Sequence, residues 1–320
     1  MIQYRVFQNT DPPQLAEVWR ASADRVGLAQ PMSTELFELH VLNKPYFDRQ
    51  GLIVALSDDR IVGFVHSGFG PNDNESGVSV DFGVTSLLLV RPQYQNQGIE
   101  VELLSRSEAY LRSRGATVLY GGSIWPLNPF YLGLYGGSEM SGVLDSDQST
   151  QQLFLTNGYK AIDRSIVFQR TTADFRAPID RKFMQIRRRS QVAIVNEPPL
   201  NSWWQACILG EFERTEFQLL DRTLGNTLAS ATFRDLDFAI AAPNVRASGL
   251  IEVHADPDSL RQGLATFLLA EAFKQLSEEG IGLIESVTME RNAAARGLYQ
   301  KLGFQQVAAG NVYRKDASQR

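Results

Sequence analysis

The sequence contains one cysteine, Cys207, in 320 residues, so no intrachain disulfide can brace the fold. That scarcity suits a reducing cytoplasm, the expected location. The neighbours of the thiol, Trp203, Trp204, Ile208 and Leu209, mark it as packed and not as a nucleophile. No apolar run approaches the ~20 residues of a membrane span, and the opening MIQYRVFQNTDPP lacks the basic-then-apolar pattern of a secretory leader. A membrane role is not expected. Basic residues are not in excess either: 31 Lys and Arg stand against 36 Asp and Glu, a net charge of -5, which argues against nucleic acid as a partner. No metal is expected.

What is present describes a folded globular chain. Hydrophobic residues make up 43% and charged ones 21%, and the length suffices for two ordinary domains. One basic cluster, Arg181-Lys182 and then Arg187-Arg188-Arg189, stands apart. Alternation through Phe183, Gln185 and Arg187 reads as a solvated strand face, with a phosphate-binding patch as the alternative.

Along the chain, Pro12 and Pro13 introduce a helix over Gln14–Ala23, and Ser33 and Glu35 open a second over Ser33–Leu42. Leu52–Leu56 and Ile61–His66 read as a hairpin, followed by a polar loop, Gly68–Gly77. His66 is either a structural strand residue or a ligand or base. Thr85–Val90 is a buried strand, and Arg170–Ala177 reads as a linker. Phe217–Asp221, Thr227–Phe233 and Leu250–Ala255 are strands of a second unit.

A repeat organises all of this. Pro92 and Gly98 are six residues apart, as are Pro257 and Gly263; Gly98 to Gly115 is 17 residues, as is Gly263 to Gly280. All four landmarks recur at an offset of 165 positions (98 to 263). In each copy the stretch between the two glycines has helical periodicity, clearest at Ala265, Leu268, Leu269, Ala272, Phe273 and Leu276, and a β-like run follows, Thr117–Tyr120 or Leu283–Val287. Such self-similarity marks a duplicated unit and two similar domains, expected at 1–170 and 171–320. Later landmarks are closer in the second copy: Gly98 to Gly158 is 60 residues, Gly263 to Gly303 only 40. The first copy thus carries about twenty extra residues, placed at Gly121–Leu144, either a lid or interface or else a packed surface insertion. The small residues Gly263 and Ala265 at a helix start leave backbone N–H groups bare, which suits an anion.

These residues resemble the GNAT acyltransferase superfamily, whose signature is a strand, often V-x-P, then [QR]-x-x-G-x-[GA] opening a helix, and later N-x-x-A-x-x-L-Y-x-x-x-G-F. The first copy has Val90-Arg91-Pro92 and then Gln95, Asn96, Gln97, Gly98, Ile99 and Glu100; the second has Leu260, Arg261, Gln262, Gly263, Leu264 and Ala265, then Asn292, Ala295, Leu298-Tyr299 and Gly303-Phe304. The resemblance implies an α/β (α+β) fold of two tandem GNAT-like domains, each a central mixed, mostly antiparallel twisted sheet flanked by helices. It implies an N-acetyltransferase passing an acetyl group from acetyl-CoA directly to an amine, since no activated cysteine or serine is evident. The acceptor is unidentified, and the chain is a monomer or a homodimer.

By the same resemblance the second copy is the favoured site. Val253, His254, Ala255, Arg261, Gln262, Gly263, Leu264, Ala265, Thr266, Asn292 and Ala295 would hold the cofactor. Tyr299 would protonate the leaving thiolate, and Glu252 would act as base, with Glu285 as the other candidate and His254 as either a relay or a turn-facing polar residue. A second cofactor site would use Val90, Gln95, Asn96, Gln97, Gly98 and Ile99. There, however, Glu100 stands where a small residue is expected and would repel a pyrophosphate. Phe154 stands where Tyr299 stands, with Tyr131 or Tyr135 as substitutes. In the second copy Leu260 replaces the usual polar residue. Two alternatives stay open: a non-catalytic acyl-CoA-sensing or scaffolding module, and catalysis in the first copy.

Overall fold

The computed structural model describes residues 1–177, 181–236, 245–257 and 261–316. In chain order the elements are β1 (Gln3–Val6), α1 (Pro12–Ala21), α2 (Thr34–Phe37), β2 (Leu52–Ser57), β3 (Arg60–Pro71), β4 (Val78–Val90) and α3 (Ile99–Ser113). Next come β5 (Val118–Gly121), β6 (Val143–Leu144), α4 (Gln148–Thr156), β7 (Lys160–Thr171), α5 (Arg181–Arg189), β8 (Ser190–Asn196) and α6 (Trp203–Leu209). The chain ends with β9 (Arg214–Asp221), β10 (Thr227–Asp235), β11 (Arg246–Ala255), α7 (Leu264–Glu278), β12 (Ile281–Met289), α8 (Ala293–Lys301) and β13 (Gln305–Asp316).

Two compact units result. Unit 1 comprises residues 1–165, 200–211 and the chain from 309 on; unit 2 comprises 166–199 and 212–308. An expected division into contiguous halves, 1–170 and 171–320, does not place two of these segments. Residues 313–316 of β13 pair with β5, and 310–311 pair with β6, because β5 would otherwise leave a row of backbone groups unbonded. Helix α6 docks through Trp204, whose backbone N–H bonds the Glu75 carbonyl at 3.0 Å.

Unit 1 has the strand order β1-β2-β3-β4-β5-β13, and unit 2 β8-β9-β10-β11-β12-β7. β4 with β5 and β11 with β12 run parallel. Each sheet buries a face against its long helix: α3 through Leu103, Leu104 and Leu111, and α7 through Leu268, Leu269, Ala272 and Phe273. The apolar spacing of these helices is what the amphipathic pattern encodes.

The duplication extends to backbone detail. Helices α3 and α7 both have 15 residues and both start after a left-handed glycine, Gly98 and Gly263, each at φ 83°. Two residues earlier, Asn96 and Arg261 are also left-handed, at φ 59° and 60°. The pairs Val84–Tyr120 and Gly249–Glu285 stand at the same register, and a bulge in the central strand falls at Ser86 in one copy and Ile251 in the other.

Three local expectations change. Gly68–Gly77 is not all loop, since β3 runs to Pro71 and pairs with Val78; Gly68 and Gly70 lie against Phe130 and Leu127, where a side chain has no room. The second helix is short and passes into a π-helical turn, Glu38–Leu42. The basic cluster is the helix α5 and not a strand: Phe183 and Ile186 are buried one turn apart, so period 3.6 prevails over the short alternation.

Candidate active site

Both central strands diverge from their parallel neighbours, within one residue of the same point. In unit 2 the pairing of β11 with β12 ends at Gly249–Glu285, leaving residues 250–255 splayed on that side. The Asp256 N–H bonds the Leu228 carbonyl at 3.0 Å. Backbone groups alternate along a strand, so Val253 and Ala255 turn their N–H and C=O toward the splayed edge. Among the described residues no side chain bonds either carbonyl. The His254 backbone faces β10, where His254 is paired with Ser230. Among the described residues this strand edge is unfilled, and the splay has a shape that receives an extended amide chain as one more strand.

Unit 1 has the same splay beyond Thr85–Gly121, but it is filled. By the same alternation, with the Arg91 N–H on Val62 O at 2.8 Å, the cleft-facing carbonyls are Leu88 and Val90. Arg25 Nη1 donates to Leu88 O at 2.9 Å, and Gln95 Nε2 donates to Val90 O at 3.0 Å. Arg25 is anchored by an ion pair with the buried Asp147 and by Thr150 Oγ1 at 3.2 Å. The remaining cavity, lined by Leu87, Tyr135, Val143 and Phe154 among others, is ≈ 20 Å³, room for about one water. The insertion Gly121–Leu144 is therefore packed structure: Phe130, Tyr131, Leu134 and Tyr135 are all buried. Tyr131 bonds His66 Nδ1 at 2.9 Å, and Tyr135 accepts the Leu144 N–H at 3.2 Å. His66 itself is a core residue stacked on Phe130 at 3.9 Å, and burial lowers its pKa to about 3.

The helix-start loops also differ. In unit 1 the Glu100 carboxylate folds back to accept the Asn96 N–H at 3.2 Å, so the loop already holds an anion of its own. Gln97 Nε2 bonds Gln93 O at 3.0 Å. In unit 2 the corresponding residue is Ala265, and the loop of Arg261, Gln262 and Gly263 lies beside helix α5. Lys182 Nζ donates to Arg261 O at 3.3 Å, and Arg189 Nη2 to Gln262 Oε1 at 2.9 Å. A Cβ on Gly263 would come within 3.1 Å of Lys182 Cε, whereas one on Gly98 would meet nothing within 4 Å. Ala265 and Thr266 are part-exposed in the first turn. Leu264 and Ile99 send their side chains into the cores, which leaves only their N–H groups for a ligand. Leu260 lies outside the described residues.

Tyr299 and Phe154 occupy the seventh position of α8 and α4, helices of nine residues each. Asn292 and Ala295 bond each other: the Asn292 side chain caps α8 on the Ala295 N–H at 3.1 Å, as Asp147 caps α4 on Thr150 at 3.2 Å. The Tyr299 hydroxyl reaches the apex of the splay, 2.8 Å from Ser286 Oγ, which donates to Leu250 O at 2.8 Å. Glu252 Oε1 lies 2.6 Å from His254 Nε2, with side chains 46% and 66% exposed. Glu285 does not join them; it is buried and accepts from Gln169 Nε2 at 2.8 Å. Cys207 is part-buried, and burial pushes its thiol up, away from nucleophilic character.

Motif reading passes over Arg25 and Ser286, which belong to no pattern, whereas Lys182 and Arg189 fall in the basic cluster whose alternative reading is a phosphate-binding patch. The 165-residue offset does carry a signal for the rest: it sets Leu87 against Glu252 and Gly121 against Ser286.

A family model described as Acetyltransferase (GNAT) family matches residues 17–128 and 181–304. The ribosomal protein bS18-alanine N-acetyltransferase of Escherichia coli (strain K12) is 33% identical over 76 residues, 24% of this chain and 51% of that protein. The Salmonella typhimurium (strain LT2) protein of the same name is 28% identical over 126 residues, 38% and 85% of the two chains. The chain thus spans about half the length of the E. coli relative. Among solved structures, a tandem GNAT protein from the clavulanic acid biosynthesis pathway superposes over 100% of both chains with a TM-score of 0.69 at 12% identity. A glucosamine N-acetyltransferase region of a fungal multi-domain β-N-acetylglucosaminidase covers 98% of this chain, from 38% of that one, with a TM-score of 0.71 at 16% identity. At such identities these two likenesses speak for the fold alone. Two family matches, two splayed sheets and a register-level duplication place the chain in the GNAT acetyltransferase family, as a member with two tandem domains.

Proposed function

We propose that the chain is an acetyl-CoA-dependent N-acetyltransferase whose cofactor site is in unit 2. One observation carries the reading: the two copies share a splayed strand, but unit 1 has its edge carbonyls bonded by Arg25 and Gln95, while the edge at Val253 and Ala255 stays open. The residues of unit 2 fit the group. The open edge suits the amides of a pantetheine arm, and the first turn of α7, with Gly263, Ala265 and Thr266, suits a pyrophosphate. Lys182 and Arg189 add positive charge beside that loop. Acetyl-CoA supplies the activated acyl group; this chain's residues orient and discharge it.

The Val253 N–H is aimed at the cleft, where it stabilises negative charge developing on a carbonyl oxygen. Glu252, paired with His254, takes the proton of the acceptor ammonium, directly or through water. Tyr299 gives its proton to the departing thiolate. The acceptor is a primary amine. The named relatives act on a ribosomal protein alanine and on glucosamine, so their acceptors suggest the amine and not its carrier.

Isothermal titration of the whole chain with acetyl-CoA tests the reading. One site per chain is expected, together with thiol release when an amine is added. Absence of binding at millimolar acetyl-CoA overturns it; binding without thiol release across amines would instead support a sensing module.

A further inference from the structure

Just past the last backbone pair of β11 and β12, the strands are joined by a side chain. Ser286, 1% exposed, donates its one hydroxyl proton to the Leu250 carbonyl at 2.8 Å. A carbonyl can only accept, so that proton is committed. In the 2.8 Å contact between Ser286 Oγ and the Tyr299 hydroxyl, Tyr299 is therefore the donor. The order is Tyr299 to Ser286 to Leu250, with the phenol at the point where the cleft begins.

Unit 1 lacks both hydroxyls at once. Its residues at these places are Gly121 and Phe154, and a Cβ on Gly121 would come within 2.6 Å of the Phe154 ring. The ring fills the space that a serine side chain needs. Where Tyr becomes Phe, Ser becomes Gly, in the copy whose cleft is plugged by Arg25.

From this geometry we propose that Ser286 is a positioning residue for proton transfer by Tyr299. The inference rests on the reading of Tyr299 as general acid. As the carbon–sulfur bond breaks, its electron pair goes to sulfur. Tyr299 passes its hydroxyl proton to that thiolate and becomes a phenolate. Ser286 then turns its O–H from Leu250 O to the phenolate oxygen, a charge-assisted bond stronger than the one it leaves. A solvent proton later restores the phenol. Ser286 thus holds the acid in place before transfer and stabilises its conjugate base afterwards.

The test compares wild type, Ser286→Ala, Ser286→Thr, Tyr299→Phe and the Ala/Phe double variant as full chains. Thiol release from acetyl-CoA is followed with glucosamine, with an alanine-terminated peptide, and with water alone. The Tyr299 ionisation is followed by ¹³C NMR of ring-labelled tyrosine, its signal assigned with Tyr299→Phe. Ser286→Ala should lower kcat by about tenfold to a hundredfold, leave the KM for acetyl-CoA unchanged, and raise the Tyr299 ionisation by about one pH unit. Ser286→Thr should restore both, and the double variant should be no slower than Tyr299→Phe. If Tyr299→Phe is slow while Ser286→Ala changes neither kcat nor the ionisation, the inference fails and the acid assignment stands. A loss of kcat that only follows thermal stability, with the ionisation unmoved, also overturns it. A normal rate in Tyr299→Phe, or no thiol release under any condition, overturns the acid assignment and this inference with it.

Discussion

Placing a carboxylate at each of the two helix-start glycines is the sharpest separation of the two copies. Gly263 and Gly98 both sit at φ 83°, so Gly263→Glu and Gly98→Glu impose the same left-handed backbone cost, roughly 1–2 kcal/mol. Gly98 has open space around it, and the neighbour of Gly263 is the flexible end of Lys182. Neither variant is expected to unfold. What differs is the charge near the anion. A carboxylate ~5 Å from a phosphate oxygen, at an effective dielectric near 20, opposes binding by about 3 kcal/mol per phosphate charge. That corresponds to an affinity loss of about two orders of magnitude. Neutralisation by Lys182 would soften this, so the double variant with Lys182→Ala should lose more. Calorimetric titration with acetyl-CoA, with thermal melts as folding controls, reads the result. A Gly98→Glu protein that binds like wild type beside a Gly263→Glu protein that does not is the expected outcome. Equal losses in both, or loss only in Gly98→Glu, would refute the assignment of the site to unit 2.

Other expectations follow from the same geometry. Glu252→Gln should lower kcat by about a hundredfold or more while leaving acetyl-CoA affinity intact; an unchanged kcat across pH removes Glu252 from the mechanism. Arg25→Ala strands the Asp147 carboxylate, 3% exposed, and should destabilise the fold by roughly 3–5 kcal/mol. Its kcat below the melting range should stay at the wild-type value, and a change there would give unit 1 a direct part in turnover. Burial holds folded His66 neutral down to about 3, whereas an unfolded histidine protonates near 6.5. The unfolded state therefore takes up the proton first. Stability from His66 is full above pH 6.5 and declines as pH falls toward 3, by at most about 1.4 kcal/mol per pH unit. Urea midpoints from pH 7 to pH 4 should show a component that His66→Gln removes, and identical slopes would disprove it.

The fold and the duplication were legible in the residues because both depend on local patterns. Glycine spacing records where the backbone must turn left-handed, and apolar periodicity records which helix face is buried; neither needs distant partners. Thus Gly98, Gly115, Gly263 and Gly280 alone located α3 and α7, and the later motif located α8 and Tyr299. The N-cap pairing of Asn292 with Ala295 is local as well, although its spacing alone does not tell a cap from a ligand. The short basic stretch 181–189 misled because five alternating residues fit a strand about as well as a turn of helix.

Which copy keeps an open cleft was a question for tertiary structure. Arg25 lies far along the chain from Leu88, Asp147 and Thr150, and no spacing rule brings them together; only the packed insertion and the capped helix α4 do. The same holds for the chain's last strand, which completes the sheet of unit 1. Ser286 is an ordinary strand serine in the sequence, and its alignment with Tyr299 and Leu250 exists only once two strands part and a helix crosses the gap. The sequence by itself determined that two GNAT-type units exist and that Glu100 and Phe154 set the first apart, since those are properties of residue type and spacing. The three-dimensional fold alone decided that one cleft is filled and the other open, because filling a cleft is a matter of which distant side chains meet there.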